Sequence, residues 1–220
     1  MTYVMADIHG ELDRYTAMLD QIQFSEQDIL YILGDVIDRC KDGVELLQMI
    51  MKQPNVHMIL GNHEQLMLST LGPSNEIGAK KVWMHNGGAE TYWTMFYGLS
   101  AEERQRILDY VQQLQDHLEI EVNGCQFYLV HGNYGETRYD RIWGRPVPPP
   151  TKPPVPGKTV IVGHTCIYYL NLYKEDYDEN GPCKFFYGPG LIGIDCGCGN
   201  ETEQRRLACL RLEDMAESYI

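Results

Sequence analysis

Five short apolar runs in this chain stop abruptly on an acid, an amide or an imidazole: VMADIHG (4–10), YILGDVIDR (31–39), ILGNHE (59–64), FYLVHG (127–132) and VIVGH (160–164). Runs of this length, rich in Val, Ile and Tyr, are strand signals, and polar residues crowding their ends narrow the fold further. In an open α/β sheet the loops after the carboxyl ends of the strands converge, and ligands bind there. The five ends deliver Asp7, His9, Asp35, Asn62, His63, His131 and His164 toward one region. A single histidine after a strand is usually a hydrogen-bonding residue; the repetition makes these a ligand set. His57, His85 and His117 lack that context and are read as ordinary structural or surface residues.

The first 64 residues alternate strand and helix patterns: Tyr3 to Ala6, a helix over Glu11 to Ile22, Ile29 to Leu33, a helix over Gly43 to Lys52, then Val56 to Leu60. That order predicts a parallel sheet. Residues 64 to 116 read as largely helical, broken at Gly72-Pro73 and Gly87-Gly88, and Ser100 with Glu103 forms a capping-box signature. Beyond them the period becomes two. LEIEV and CQFYLV flank Asn123-Gly124, a tight hairpin turn, and further strands are expected at Thr159 to Val162, Tyr168 to Tyr173, Leu191 to Ile194 and Arg206 to Leu212. An α/β half feeding a β-rich half predicts two packed mixed β-sheets flanked by helices, an α/β (α+β) chain forming a single domain over residues 1–220. RPVPPPTKPPVPG, with seven prolines, is a stiff extended rim loop in this reading rather than a ligand for an SH3-type module.

The net charge of −13 argues against a nucleic-acid or anionic-membrane partner. An anionic substrate would need local cations to hold it. Neither a membrane-length apolar run nor a secretory leader pattern is present, and the seven cysteines are scattered without CxxC pairs. A cytoplasmic protein with reduced thiols is expected, with Cys196 and Cys198 as packing or turn residues.

Oxygen and imidazole donors without thiolate suit Mn²⁺, Fe or Zn²⁺. Six or more such residues exceed the needs of one ion, so two ions sharing a carboxylate are expected. Asp35, on the second strand, is the natural bridge. Such a pair polarises a phosphoryl oxygen, lowers the pKa of a shared water and clamps attacking and leaving oxygens in line.

DIHG at 7–10, GDVIDR at 34–39, GNHE at 61–64, HG at 131–132 and GHT at 163–165, in that order, resemble the calcineurin-like metallophosphoesterases of the phosphoprotein phosphatase family, closest to the small bacterial and bacteriophage-lambda type. The resemblance runs from about residue 3 to 213. It implies that family's four-layer sandwich and a binuclear centre in which Asp7, His9 and Asp35 hold one ion while Asp35, Asn62, His131 and His164 hold the other. Two divalent ions, Mn²⁺ first and Fe or Zn²⁺ after it, are implied. His63 would be the general acid and Asp38 its orienting carboxylate; Arg39, Asn62 and, through IWGR, Arg145 would bind phosphate.

The activity implied is phosphomonoester hydrolysis, foremost by a serine/threonine protein phosphatase that could also accept phosphotyrosine. Its partner would be a phosphorylated protein or a small phosphoester, with no nucleic acid, membrane or obligate regulatory subunit. The alternative is a symmetrical dinucleoside tetraphosphate hydrolase, a group with closely similar motifs in which the position of Asp38 is typically not acidic. A non-catalytic binding protein on this fold is the third reading, and such a protein should have lost ligands or the acid.

Two residues depart from the pattern: Ala6 stands where glycine usually precedes the first aspartate, and Cys40 replaces the glycine after Arg39. The second puts the backbone around Arg39 in question and raises the expectation of a thiol sensitive to oxidation. NYGETRYDR (133–141), the proline loop and KEDYDEN (174–180) form the expected rim, and Glu64 is expected to start a helix or support the ligands.

Overall fold

The computed structural model describes residues 1–174, 178 and 180–220. KEDYDEN therefore lies mostly outside the described residues.

The chain begins as its pattern predicts, with β1 (Thr2–Met5), α1 (Leu12–Gln21), β2 (Ile29–Ile32), α2 (Gly43–Ile50) and β3 (Val56–Met58). The three strands are parallel, Thr2 facing Ile29 and Leu30 facing Val56 in register. A helical stretch follows: α3 (Asn62–Leu71), α4 (Ala79–His85), α5 (Ala89–Trp93), a π-helical turn over Thr94–Gly98, and α6 (Ala101–Gln112). Gly72 ends α3 and Gly88 precedes α5, where glycine breaks were expected. The hairpin of β4 (His117–Val122) and β5 (Cys125–Val130) leads to α7 (Arg138–Trp143), β6 (Thr159–Val162), α8 (Ile167–Asn171), β7 (Phe186–Gly188), β8 (Leu191–Gly193), β9 (Ala208–Arg211) and β10 (Ala216–Tyr219).

Two five-stranded mixed sheets result, one ordered β10-β9-β1-β2-β3 and the other β4-β5-β6-β8-β7. Strand alternation makes the layers. Tyr3 and Met5 of β1 face the helices, packing with Tyr15, Met18, Leu46 and Leu47, whereas Val4 and Ala6 face the second sheet with Leu129, Val160 and Val162. The parallel strands β6 and β8 at the middle of the second sheet are buried almost without alternation, as parallel strands covered on both faces must be. Val160, Ile161 and Val162 are all fully buried. Ile167 and Leu170 of α8 belong to the same apolar cluster.

One expected strand is a helix. Tyr168 to Tyr173 reads as β from its aromatic content, but α8 buries Ile167, Leu170 and Asn171 and leaves Tyr169 exposed. That is a spacing of three and four, and tertiary burial of this stripe overrides β propensity. The short β7 and β10 carried no usable pattern. Their neighbours define them: Glu217 pairs with Leu210, and Leu207 and Ile220 exchange backbone hydrogen bonds at 2.9 Å.

Ser100 caps α6 as expected, its hydroxyl accepting from the Glu103 N–H (3.2 Å) while the Glu103 carboxylate accepts from the Ser100 N–H (2.9 Å). Ser100→Ala is therefore expected to lower stability by about 1 kcal/mol, read as a shift in urea midpoint at constant slope.

Candidate metal centre

Ten non-glycine residues among those described have left-handed φ, and six are Asp7 (53°), His9 (50°), Asp35 (53°), Asp38 (72°), Arg39 (67°) and His164 (56°). Such a backbone costs an L residue about 1–3 kcal/mol. Its concentration at the strand ends turns these side chains inward, and something must hold them there. Glu64, fully buried at the start of α3, accepts hydrogen bonds from the backbone N–H groups of Asp35 (2.9 Å), Val36 (2.9 Å), Ile37 (3.3 Å) and Gly61 (3.1 Å). The support role expected of Glu64 is thus to pin the loop after β2. Gly61 is required beside it, since a Cβ there would sit 2.2 Å from Asp35 Oδ1.

Asp35 lies at the centre. Its Oδ2 is 3.3 Å from His131 Nε2, 3.8 Å from His63 Nε2 and 3.9 Å from His9 Nε2. Among the described residues, two groups of donor atoms converge within 4.8 Å, His9-Asp35-His63 and Asp35-His131-His164. Asp35 is common to both. Asn62 joins the second group, its Oδ1 lying 2.9 Å from His131 Nε2. His57, His85 and His117 belong to neither.

The donor set fits cations. His9 Nδ1 donates to the Ile37 carbonyl (3.1 Å) and His131 Nδ1 to the Leu33 carbonyl (2.6 Å), so both rings aim Nε2 at Asp35. Backbone carbonyls that fix a ring in this way are the usual support for metal-binding histidines. His164 Nε2 is buried with no hydrogen-bond partner among the described residues. An orphaned ring nitrogen beside a carboxylate is what a metal would satisfy. Asp7 is buried at the same place, but its carboxylate turns to the His164 backbone N–H (2.9 and 3.1 Å) and stays outside both groups.

Charge in this site is uneven. Burial works to lower the His131 pKa, but the Asp35 carboxylate outweighs it and carries the imidazole up to about 9. Burial dominates at His164, and with the nearby His131 and Arg145 charges it drives that pKa down to about 2. Burial also raises Asp35, yet His131 and His63 overcome it and hold the carboxyl well below its usual range. Asp7, buried near Asp195, is pushed well upward.

Metal binding must displace the His131 Nε2 proton, so affinity for Mn²⁺ is expected to tighten about tenfold per pH unit until pH 9. Titration calorimetry at pH 6, 7.5 and 9 checks this, and a flat affinity would contradict it. The sign for folding is opposite. A histidine whose folded pKa is raised stabilises metal-free protein fully below about 6.5, and this stabilisation is lost as pH rises through about 9.

His63 and Asp38 form a buried pair, Nδ1 to Oδ2 at 2.6 Å. Burial opposes the charged ring, but Asp35 and Asp38 together raise its pKa. The exposed Arg39 guanidinium reaches Asn200 Oδ1 (2.7 Å), and exposed Arg145 reaches the His164 carbonyl (3.0 Å), so the Arg39 charge acts on His9 and the Arg145 charge on His164. Left-handed φ falls on Asp38 and Arg39, not on Cys40, so the missing glycine costs the loop nothing. The Cys40 thiol is half-buried and points at Glu11 Oε1, and burial followed by the Glu11 charge raises its pKa. A thiol so held is a poor thiolate and a poor target for oxidation.

Three contributors escaped the sequence reading. Trp83 Nε1 donates to Asp38 Oδ2 (2.6 Å), Asn200 holds Arg39, and Asp195 is buried near Asp7 at the end of β8. Asp195 had the same signal as the others, an apolar run LIGI ending on an acid. At the rim, α7 carries Trp143, whose ring meets His164 edge-on at 6.3 Å, and the proline-rich segment has no regular structure. No helix among the described residues is long and apolar enough to cross a membrane.

The family described as calcineurin-like phosphoesterase matches residues 2–195. Serine/threonine-protein phosphatase 2 of Escherichia coli is 29% identical over 62% of this chain and 60% of its own length. The chain thus spans about 60% of the length of such curated relatives. The symmetrical bis(5'-nucleosyl)-tetraphosphatase of Wigglesworthia glossinidia brevipalpis is 42% identical over a shorter stretch, 28% of this chain and 24% of that protein. Among solved structures, a proposed diadenosine tetraphosphatase superposes with a TM-score of 0.62 at 16% identity, covering 100% of this chain and 92% of that one.

Proposed function

The chain belongs to the calcineurin-like phosphoesterase family, and from that membership we propose a two-metal phosphomonoester hydrolase whose foremost substrates are phosphoserine and phosphothreonine in proteins, with phosphotyrosine a further monoester. The observation that carries this reading is the buried His63–Asp38 pair at 2.6 Å with Nε2 facing Asp35. A serine or threonine alkoxide is a poor leaving group and needs a proton as the P–O bond breaks. A nucleotide polyphosphate leaves as a stable anion and needs none, so an intact acid pair is better matched to monoesters.

Asp7, His9 and Asp35 would hold one ion, and Asp35, Asn62, His131 and His164 the other. When bound, two divalent ions polarise the phosphoryl oxygens and supply the activated water. The remaining work falls to the chain's own side chains. The Asp38 carboxylate accepts the hydrogen bond from His63 Nδ1–H, which leaves Nε2–H to protonate the departing oxygen. Arg39 and Arg145 provide the cations that an anionic substrate requires on a chain of charge −13. All seven cysteines are free, which fits a reducing compartment, and the cytoplasm is the proposed location. No regulatory subunit, nucleic acid or membrane is proposed as a partner.

Symmetrical dinucleoside tetraphosphate hydrolysis is the second reading, favoured by the local identity to a protein of that name. Metal-stripped protein resupplied with Mn²⁺ and given para-nitrophenyl phosphate, a phosphothreonine peptide and diadenosine tetraphosphate separates the two. Turnover of both monoesters supports the proposal; turnover of the dinucleotide alone replaces it with the second reading. Silence on all three with Mn²⁺, Fe²⁺ and Zn²⁺ would favour a non-catalytic binding protein.

A further inference from the structure

Asp38 carries a burden that its sequence motif does not explain. It is fully buried, its backbone is left-handed at φ 72°, and its Oδ1 has no hydrogen-bond partner among the described residues. Everything that orients its carboxylate acts through Oδ2, which receives two donors, His63 Nδ1 at 2.6 Å and Trp83 Nε1 at 2.6 Å. The main-chain N–H of Asp38 donates to Thr91 Oγ1 at 3.1 Å. Arg39, the next residue, donates its N–H to the Gly87 carbonyl at 3.0 Å. Apart from His63, these partners, Trp83, Thr91 and Gly87, belong to one local unit, α4, the Gly87-Gly88 turn and α5.

That unit is built around the indole. Trp83 is fully buried, and a Cβ on Gly88 would sit 2.3 Å from its ring, so the turn closes onto the indole only because residue 88 is glycine. Tyr92 packs edge-on against the same ring at 6.1 Å.

We propose that the α4–α5 hairpin is the positioning element of the proposed acid pair, with Trp83 and Thr91 as positioning residues that hold Asp38, and through it His63, at the angle needed to protonate a leaving oxygen. The physical reason is rotational. With two donors at its Oδ2 atom, the carboxylate has one orientation that satisfies both. With the Trp83 donor removed, Asp38 can turn about its Cβ–Cγ bond and offer either oxygen to His63; with the Thr91 hydroxyl removed, the Asp38 N–H loses the acceptor that fixes its left-handed backbone, and in both cases the ring loses its fixed direction. Neither Trp83 nor Thr91 touches substrate in this scheme.

The inference rests on the phosphomonoesterase reading above, and its test separates the two. Wild type, Trp83→Phe and Thr91→Val, all loaded with Mn²⁺, are compared on para-nitrophenyl phosphate and a phosphothreonine peptide. The nitrophenolate leaves without a proton, whereas the threonine alkoxide does not. The ratio of kcat for the peptide to kcat for the nitrophenyl ester is expected to fall by about tenfold or more in each variant, within the range for residues that support a reacting group, with KM for either substrate little changed. Thr91→Val preserves shape and keeps the test available should Trp83→Phe unfold. Equal losses on both substrates would mean a merely structural role, and wild-type kcat on both in a folded variant would mean none; either overturns the proposal. Wild type inactive on both monoesters would instead overturn the phosphomonoesterase reading itself.

Discussion

Asp35→Asn is expected to lower kcat on every phosphoester by about 10³-fold or more and to remove tight binding of the second Mn²⁺. Removing one fixed charge-stabilising group commonly costs about 10²–10³ in rate, and Asp35 is the one residue common to both donor groups. An amide offers one oxygen and no charge where two cations must be shared. The fold should persist, because His63 N–H donates to Asp35 Oδ1 at 3.0 Å and an asparagine oxygen can accept the same bond. The metal-free variant gives an independent check. Asp35 is what outweighs burial and raises His131, so without it the ring stays neutral. The stability that wild type loses between about pH 6.5 and 9 should then be missing at every pH, leaving a flatter profile over that window. Retained activity, or a pH profile identical to wild type, would remove Asp35 from the centre of the site.

His63→Gln is expected to divide substrates by leaving group. On a phosphothreonine peptide kcat should fall by about 10²–10⁴, the usual contribution of a general acid. On para-nitrophenyl phosphate the loss should be about tenfold, because the departing phenolate is stable without a proton. The imidazole is suited to the role by its surroundings: burial disfavours the charged ring, but Asp35 and Asp38 prevail and its pKa rises. That rise favours the doubly protonated ring, in which Nδ1–H is engaged with Asp38 and Nε2–H is left for the leaving oxygen. Equal losses on the two esters would assign His63 to metal binding instead, a role its place in the His9-Asp35-His63 group permits.

The helices and central strands were legible because their signals are local. Gly72 and Gly87-Gly88 break the helical stretch, Ser100 and Glu103 cap α6, and Asn123-Gly124 turns the hairpin. The misreading of 168–173 came from judging aromatic content over a window too short to show period. Ile167, Leu170 and Asn171 face inward, and only the packed second sheet makes that face matter. β7 and β10, three and four residues long, are strands because a neighbour supplies hydrogen-bond partners.

The site divides in the same way. By itself the sequence determined which residue types stand at the strand ends, because a parallel sheet places every carboxyl end on one edge, whatever the details of packing. Asp7, His9, Asp35, Asn62, His63, His131 and His164 could be named from that rule. Only the tertiary structure decided what directs them. Glu64 grips the loop after β2 from 29 residues away, Trp83 meets Asp38 across 45, and Asn200 meets Arg39 across 161. Contacts of that span depend on how α3, the α4–α5 hairpin and the loop after β8 pack onto the sheet edge. Strand periodicity carries a side chain to that edge; its final direction comes from the partners that packing brings within 3 Å.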